Sequence, residues 1–390
     1  MRLSFLFSGQ GEVPTAETVQ MWRTDPDAAA VWAQSTDILG EPLDRWLDEG
    51  QQADTRKAQL IASVGAVATY AVVERELGLV PHFIMGHSIG ELPALKVACG
   101  LDLATMLDLV DARGTAMAAA IAAGPPMGMR AVLNPPDDLV ERVAAYQDVH
   151  VANLNSASQM VVSGTSAALE EFATREKLAG VPLKVSGAFH TPFMAQAADE
   201  FRAAVHGTVG AVLSGPVVVA NRTALPFDTA NIVEELCRQI VSPVRWGASI
   251  TYAYDHGSQL LLDLSSTGMF ARMSERADAR YIACGNARSI EAARHVLRHT
   301  ISVQRGYDLA AHALGAIVTT RNEQPDEQLY RATVIPCYQE LRQMVGRETQ
   351  APERILDLVE QALITKGVDV STRQRKLDSL RWRAARLSVN

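Results

Sequence analysis

Two textures of hydrophobic and polar positions succeed one another along this chain. Short apolar runs at Leu3–Phe7 and Leu79–Met85 are each followed closely by glycine. Runs this short, without a polar face, predict strands buried on both sides that feed tight loops. Between them, Lys57–Leu77 is alanine-rich with apolar residues at helical spacing. The stretches Glu91–Gly100 and Ala104–Gly124 also read as helices.

From Met127 to Phe189 the texture changes. "GMRAVLN" predicts a strand, and "PPDDLVERVAAY" predicts a helix with Pro and Asp at its start, as capping favours. "VHVANLN" and "QMVVSG" predict two strands around the turn residues Ser156-Ala157-Ser158. "SAALEEFATREKLAG" predicts a helix ending at Gly180, and "VPLKVSGAF" a last strand. That order, β-α-β-β-α-β, is the ferredoxin-like arrangement. The expected organisation is an α/β core over 1–126 and 190–288, a small inserted subdomain over 127–189 and a mainly helical extension over 289–390. The extension is interrupted at "TTRNEQPDEQ". Neither internal repeats nor low-complexity tracts stand out. "LDSL" at Leu377–Leu380 echoes a carrier-protein attachment motif, but ten residues follow it, too few for the helices such a domain needs.

Composition adds limits. The chain has 390 residues with 48% hydrophobic and 21% charged, an ordinary globular balance. No run approaches the roughly 18 apolar residues of a membrane span, and the N-terminal run is too brief for a signal peptide, so a cytoplasmic protein is expected. Four scattered cysteines make neither a disulfide framework nor a zinc pattern. The net charge of −8 argues against nucleic acid as a partner. It is uneven: Lys366–Asn390 carries seven Lys/Arg against two Asp, leaving −13 for the rest. A basic end of this kind reads as a solvated helix or as a contact for an acidic partner.

The chemistry centres on Gly86-His87-Ser88-Ile89-Gly90, a G-x-S-x-G pattern with a predicted strand before it and a helix after it. That is the setting of a nucleophile elbow; the alternative is a structural turn with a capping serine. A serine needs a base. His87 is expected to point away at such a turn, and His295 belongs to a charged helix face. His190, in "SGAFHTPFM", sits where the small subdomain rejoins the core, a place for a cleft residue. The Gly9-Gln10-Gly11 loop can aim backbone N–H groups at an anion. Arg113 lies in an apolar helical stretch, where it requires an anionic partner or marks a surface ion pair.

Taken in order, "FLFSGQG", "GHSIGE", "ARGTAM", "NLNSASQMVVSG", "GAFHTPFM" and "RQIVSPVRW" resemble the malonyl-CoA:acyl carrier protein transacylases and the acyltransferase domains of polyketide synthases, from about Arg2 to Asn286. The resemblance implies an α/β-hydrolase-like core carrying a ferredoxin-like insertion. It implies Ser88 as acyl-accepting nucleophile and His190 as general base. Arg113 would bind the free malonyl carboxylate, and Gln10 and Ile89 would give oxyanion-hole N–H groups. Gln239 would orient His190 through a carbonyl, Asn155 and Asn153 would line the cleft, and Phe189 would crowd a 2-alkyl branch. Malonyl-CoA and an acyl carrier protein are the implied partners. No resident cofactor is implied, because the CoA thioester is a substrate and phosphopantetheine comes with the acceptor.

Two places depart from the family pattern. Lys57-Ala58 stands where relatives usually have Gln-Pro, and Ser265-Ser266-Thr267 replaces a usual Gly-Pro-Gly. A Lys57 facing the cleft would bring a cation to the acyl pocket or the CoA phosphates. A hydrolase that clears acyl groups from carriers, using the same Ser88–His190 pair, is the alternative; Arg113 counts against it.

Overall fold

Nine strands form among the described residues of the computed structural model, which are 2–49, 54–205, 215–273, 279–305, 309–345 and 351–387. In chain order they are β1 (Arg2–Phe7), β2 (Phe83–Gly86), β3 (Met127–Leu133), β4 (Val149–Ser156), β5 (Gln159–Thr165), β6 (Gly180–Pro182), β7 (Val217–Val218), β8 (Ser258–Asp263) and β9 (Arg280–Ala283). Five of them make an all-parallel sheet in the order β7-β2-β1-β8-β9. After its first residue β1 is wholly buried, as is all of β2. Strands covered on both faces have no polar side to show, which is why their sequences do not alternate.

Parallel strands deliver their loops to one end of the sheet, and ligand sites of open α/β sheets lie outside the carboxyl ends of the strands. Here β7, β2, β1 and β8 are consecutive neighbours. The loops that follow them, residues 219–221, 87–90, 8–11 and 264–268, therefore meet at that end. Three helices, Ala16–Thr24, Pro26–Leu39 and Leu43–Glu49, separate β1 from the long helix Thr55–Leu77. The apolar pattern does not announce them. They are seated partly by two buried tryptophans, Trp22 and Trp32, with ring centroids 5.4 Å apart. Gly65 makes room for this pair, since a Cβ there would come within 2.5 Å of the Trp22 ring.

The other four strands form a separate antiparallel sheet in the order β4-β5-β3-β6. Its helices, Leu139–Ala144 and Ser166–Glu176, share a core with it that includes Val132, Leu139, Val149, Val162 and Phe172. Three details differ from the sequence reading. Asp138 stands at the start of the first helix without a side-chain capping bond. The second helix ends at Glu176 rather than Gly180, because Lys177 takes a left-handed φ of +52°. The last strand is only Gly180–Pro182; Pro182 cannot extend a ladder by an N–H, and residues 183–190 follow an irregular path instead.

Contacts divide the chain into two compact units, one comprising Met1–Glu76, Pro81–Val212 and Pro216–Ala293 and both sheets, the other chiefly Arg294–Asn390. Helices Leu309–Val318, Glu327–Met344, Pro352–Thr365 and Val370–Leu387 of the second share a core that includes Leu309, Val334, Leu341, Leu358 and Leu363. Leu377 and Leu380 of the "LDSL" stretch are part of it. Lys366 is buried, with its ammonium donating to the carbonyls of Ile317 and Thr320. It is therefore an internal cap and does not add to the basic surface of the terminal helix. The four cysteines are free and buried, and burial raises each thiol pKa.

Candidate active site

The turn after β2 is sharp because its glycines permit it. A Cβ on Gly86 would strike the Gly90 carbonyl, and one on Gly90 would lie 2.7 Å from Phe7 O at the end of β1. Ser88 itself sits at φ +53°, a left-handed conformation that costs a non-glycine residue about 1–3 kcal/mol and marks candidate functional positions. The helix Glu91–Cys99 starts directly after it. Strand, strained serine and helix together make the elbow expected from the sequence.

His190 lies 2.7 Å from Ser88, Nε2 to Oγ, and its Nδ1 is 3.0 Å from the Gln239 carbonyl. A carbonyl can only accept, so Nδ1 carries the proton and Nε2 is left free to accept from the serine hydroxyl. His190 also has a left-handed φ, +61°. Burial, reinforced by the nearby positive Arg113, pushes its pKa down to about 3. The imidazole is thus neutral and available as a base.

Arg113 projects from the buried face of helix Leu103–Ala123 and is 1% exposed. Its guanidinium donates to Gln59 Oε1 and, at 3.0 Å, to Gln239 Oε1, while its Nε has no partner. Two neutral acceptors leave a charged group with unspent capacity. Burial lowers its pKa to about 10, opposed by Glu91. Glu91 is itself 1% exposed, and burial raises its carboxyl to about 7 against the pull of Asn221, Gln239 and Arg113.

Ser88, His190 and Arg113 line one cavity of about 570 Å³, together with Gln10, Asn153, Asn155 and Phe189. The volume is within the range of small-molecule sites. Asn153 and Asn155 on β4 both face His87 Nε2, at 3.5 and 3.0 Å, and the register of β4 shifts between Val151 and Asn153 and again between Leu154 and Ser156. His87 lines the cavity too, against the expectation that it points away. Its Nε2 is 3.0 Å from Asn155 Oδ1 and its ring lies against Trp246. The Gln10 side chain accepts from Thr55 Oγ1 at 2.9 Å, tying the glycine loop to the long helix. Ile89 is 1% exposed directly after the nucleophile. Phe189 is 6% exposed, and its ring is so close that a Cβ on Gly187 would lie 2.9 Å from Cζ.

The two departures resolve differently. The Lys57 ammonium lies 5.1 Å from the centre of the Trp46 ring and the residue is absent from the cavity lining, so it brings no cation to the pocket. The side chain that reaches Arg113 is Gln59, two residues on. Thr267 does reach the cavity, and its N–H and hydroxyl both donate to Glu12 at 2.8 Å, linking the loops after β8 and β1.

Sequence reasoning missed Gln59, Glu91 and Asn221. Glu91 had a signal: it opens a helix buried on every side, where an acid must find partners. Gln59 follows Thr55 by four residues and takes its hydroxyl as a partner at 3.1 Å, but nothing local aims it at Arg113. Asn221 carries no local signal.

Residues 4–277 fit the family model of the acyl transferase domain. A malonyl CoA-acyl carrier protein transacylase of Synechocystis is 34% identical over 252 residues, 63% of this chain and 83% of that protein. The polyketide biosynthesis malonyl CoA-acyl carrier protein transacylase PksC of Bacillus subtilis is 31% identical, over 63% of this chain and 89% of its own length. The crystal structure of an acyl-carrier-protein-S-malonyltransferase from Bartonella henselae superimposes with a TM-score of 0.66 at 30% identity, over 76% of this chain and 99% of that one.

Proposed function

Because this chain belongs to the acyl transferase domain family, we propose that it moves a malonyl group, or a related carboxylated acyl group, from coenzyme A to the phosphopantetheine thiol of an acyl carrier protein. The observation that carries this reading is the meeting of a Ser88–His190 pair with a buried, underused Arg113 in one cavity. A hydrolase of neutral acyl groups has no use for that arginine.

In the mechanism that follows, Nε2 of His190 takes the Ser88 proton as Oγ attacks the thioester carbonyl. The backbone N–H groups of Gln10 and Ile89 hold the oxyanion. The N–H of Ser88 is not available for this, since it donates to Asn221 Oδ1 at 2.8 Å. The intermediate collapses to the Ser88 ester, and His190 returns its proton to the departing CoA thiolate. The carrier thiol then attacks the ester, giving its proton to His190, which hands it back to Ser88 as the thioester forms. Each step uses a group of this chain. Arg113 receives the acyl carboxylate through parallel N–H donors, a geometry for which guanidinium is suited. Met117, Met129, Val161, Leu183 and Phe189 give the cavity an apolar wall that supports exclusion of water while the ester waits.

The same proposal covers the architecture and location. An all-parallel sheet with an elbow after β2 supports an α/β-hydrolase-like core over 1–126 and 190–288. The strand order β4-β5-β3-β6 supports a ferredoxin-like subdomain over 127–189, with a helical extension over 289–390. Among the described residues no helix is long and apolar enough to cross a membrane, and a cytoplasmic location is part of the reading.

Intact-mass measurement of the protein after malonyl-CoA, acetyl-CoA or methylmalonyl-CoA tests the proposal. A malonyl adduct that is lost in Ser88→Ala and passes to an acyl carrier protein supports it. Rapid release of free CoA and acid without transfer would favour the hydrolase.

A further inference from the structure

Both backbone polar groups of Ser88 are held by side-chain amides, and both amides are held by one carboxylate. The Ser88 N–H donates to Asn221 Oδ1 at 2.8 Å, while the Ser88 carbonyl accepts from Gln239 Nε2 at 2.8 Å. Glu91 Oε1 accepts from the Asn221 backbone N–H at 2.7 Å and from Asn221 Nδ2 at 2.8 Å, and Glu91 Oε2 accepts from Gln239 Nε2 at 2.9 Å. Each amide has two chemically different ends, and the carboxylate takes only N–H groups. Asn221 Nδ2 also donates to the Gly86 carbonyl at 2.6 Å, so Glu91 and that carbonyl together turn the Asn221 oxygen to the serine N–H. Together with the Ser88 carbonyl, Glu91 also turns the Gln239 oxygen to the Arg113 guanidinium, 3.0 Å away. A flipped Gln239 would set its NH₂ against the guanidinium and its oxygen against both a carbonyl and a carboxylate.

We propose that Glu91 is a positioning residue for acyl transfer: through Asn221 and Gln239 its carboxylate fixes both the strained backbone of the nucleophile and the guanidinium that receives the substrate carboxylate. The inference rests on the acyl-transfer reading for the role of Arg113, while the part concerning Ser88 depends only on the elbow. Glu91 touches neither thioester nor reacting atoms and acts through other groups. Of the charged and ionisable groups around it, Arg113 comes from helix Leu103–Ala123 and lowers its pKa. His190 is joined to it through Gln239, and His87, neighbour of Ser88, is bonded to Asn155. Arg222, next to Asn221, is paired with both oxygens of Glu235.

Protonation of Glu91 would turn one of its oxygens into a donor facing donors, removing an acceptor that Asn221 and Gln239 share and weakening their hold on Ser88. The ionised form is the competent one, and it is lost as pH falls through about 7. His190, held neutral down to about 3, does not account for a fall in activity at that pH.

The test uses the full chain, with Glu91→Gln and Gln239→Met, and two readouts by intact mass across neutral pH. One is the rate of Ser88 labelling by an uncharged fluorophosphonate; the other is malonyl adduct formation from malonyl-CoA. In the unmodified protein the fluorophosphonate rate is expected to fall as pH drops through about 7. In Glu91→Gln both rates should be reduced by about tenfold to about a hundredfold, the loss for buried partners left unpaired, and the limb near neutrality should vanish. Gln239→Met keeps the backbone carbonyl that serves His190 and the Glu91–Asn221 arm. It should therefore lose malonyl loading more than fluorophosphonate labelling, and it carries the test if Glu91→Gln does not fold. Wild-type rates or an unchanged limb in Glu91→Gln would overturn the proposal, as would unaltered malonyl preference in Gln239→Met. If malonyl-CoA leaves no adduct on the unmodified protein, the transfer reading fails, and the fluorophosphonate arm still decides whether Glu91 positions Ser88.

Discussion

His87 donates from Nε2 to Asn155 Oδ1 across 3.0 Å, joining the elbow of the parallel sheet to the edge strand β4 of the antiparallel one. The tautomer follows from the partner, since Asn155 uses its Nδ2 on Gln159 at 2.7 Å and turns its oxygen to the ring. Burial lowers the His87 pKa, which keeps it neutral in this role. His87→Phe would keep a ring against Trp246 and remove the bond. We expect a stability loss of about 1–3 kcal/mol, the cost of an unsatisfied buried acceptor, measurable by urea unfolding. Slower malonyl loading should accompany it, because Asn155 lines the same cavity.

Arg113 should separate acyl groups by charge. Arg113→Ala is expected to reduce malonyl adduct formation by about tenfold to about a hundredfold, the worth of hydrogen bonds to a charged group, while acetyl loading changes little. Arg113→Lys should not restore malonyl loading, because an ammonium cannot reproduce the two parallel donors. Competition between malonyl-CoA and acetyl-CoA, read by the mass of the adduct, measures both.

Phe189 lines the cavity that holds Ser88, and we propose that its ring limits branching of the acyl group. Phe189→Ala should raise the ratio of methylmalonyl to malonyl loading by about tenfold or more, since one methylene in a packed pocket discriminates by about 10–200-fold. Gly187→Ala should act in the opposite sense on overall loading, because its Cβ would push the Phe189 ring and come within 2.8 Å of Ile121. Equal methylmalonyl ratios in Phe189→Ala and the unmodified protein would place the limit elsewhere.

His190 ties stability to pH. Its folded pKa, about 3, lies below the ordinary 6.5. Between those values the unfolded chain binds a proton that the folded chain refuses, so stability is full above about 6.5 and is lost as pH falls toward 3. Glu91 works in the other direction, since a raised carboxyl stabilises the fold at low pH and loses that contribution as pH rises through about 7. Comparison with His190→Gln removes the Glu91 effect from the difference. Below about pH 6.5, unfolding free energy should fall more steeply in the unmodified protein than in the variant. Parallel curves would mean that His190 titrates normally.

How much of this was readable in advance follows from the range of each interaction. Past Arg2, β1 is apolar except for a buried Ser4 and β2 is apolar, because both faces are covered, and Ser88 sits between glycines whose missing Cβ atoms the turn requires. These are local constraints, written in adjacent letters. Gly180 is a reasonable helix stop by composition, yet the helix already ends at Glu176 with Lys177 as its left-handed cap, and Gly180 pairs with Val132 in the sheet. Lys57 would bring a cation to the pocket only by facing the cleft, and the turn of its helix sends it to Trp46 and sends Gln59 to Arg113. Asn221 and Gln239 act on Ser88 from 133 and 151 residues away. No spacing rule encodes such a distance.

The placement of β1 also has a consequence for how the protein is made. Of the five parallel strands, the one synthesised earliest, β1, is the middle strand of the sheet, and its partner β8 spans Ser258–Asp263. The Leu3–Phe7 segment must therefore wait, largely apolar and with one edge unpaired, until Ser258–Asp263 has been synthesised. Distant pairing of this kind slows folding and leaves the waiting strand open to association with other chains. The same delay keeps the chemistry silent. A nascent chain ending before Gln239 can hold Ser88 and Arg113, but it lacks the carbonyl that fixes His190 and the amide that aims the guanidinium. The nucleophile is thus armed only when synthesis is nearly past the catalytic unit.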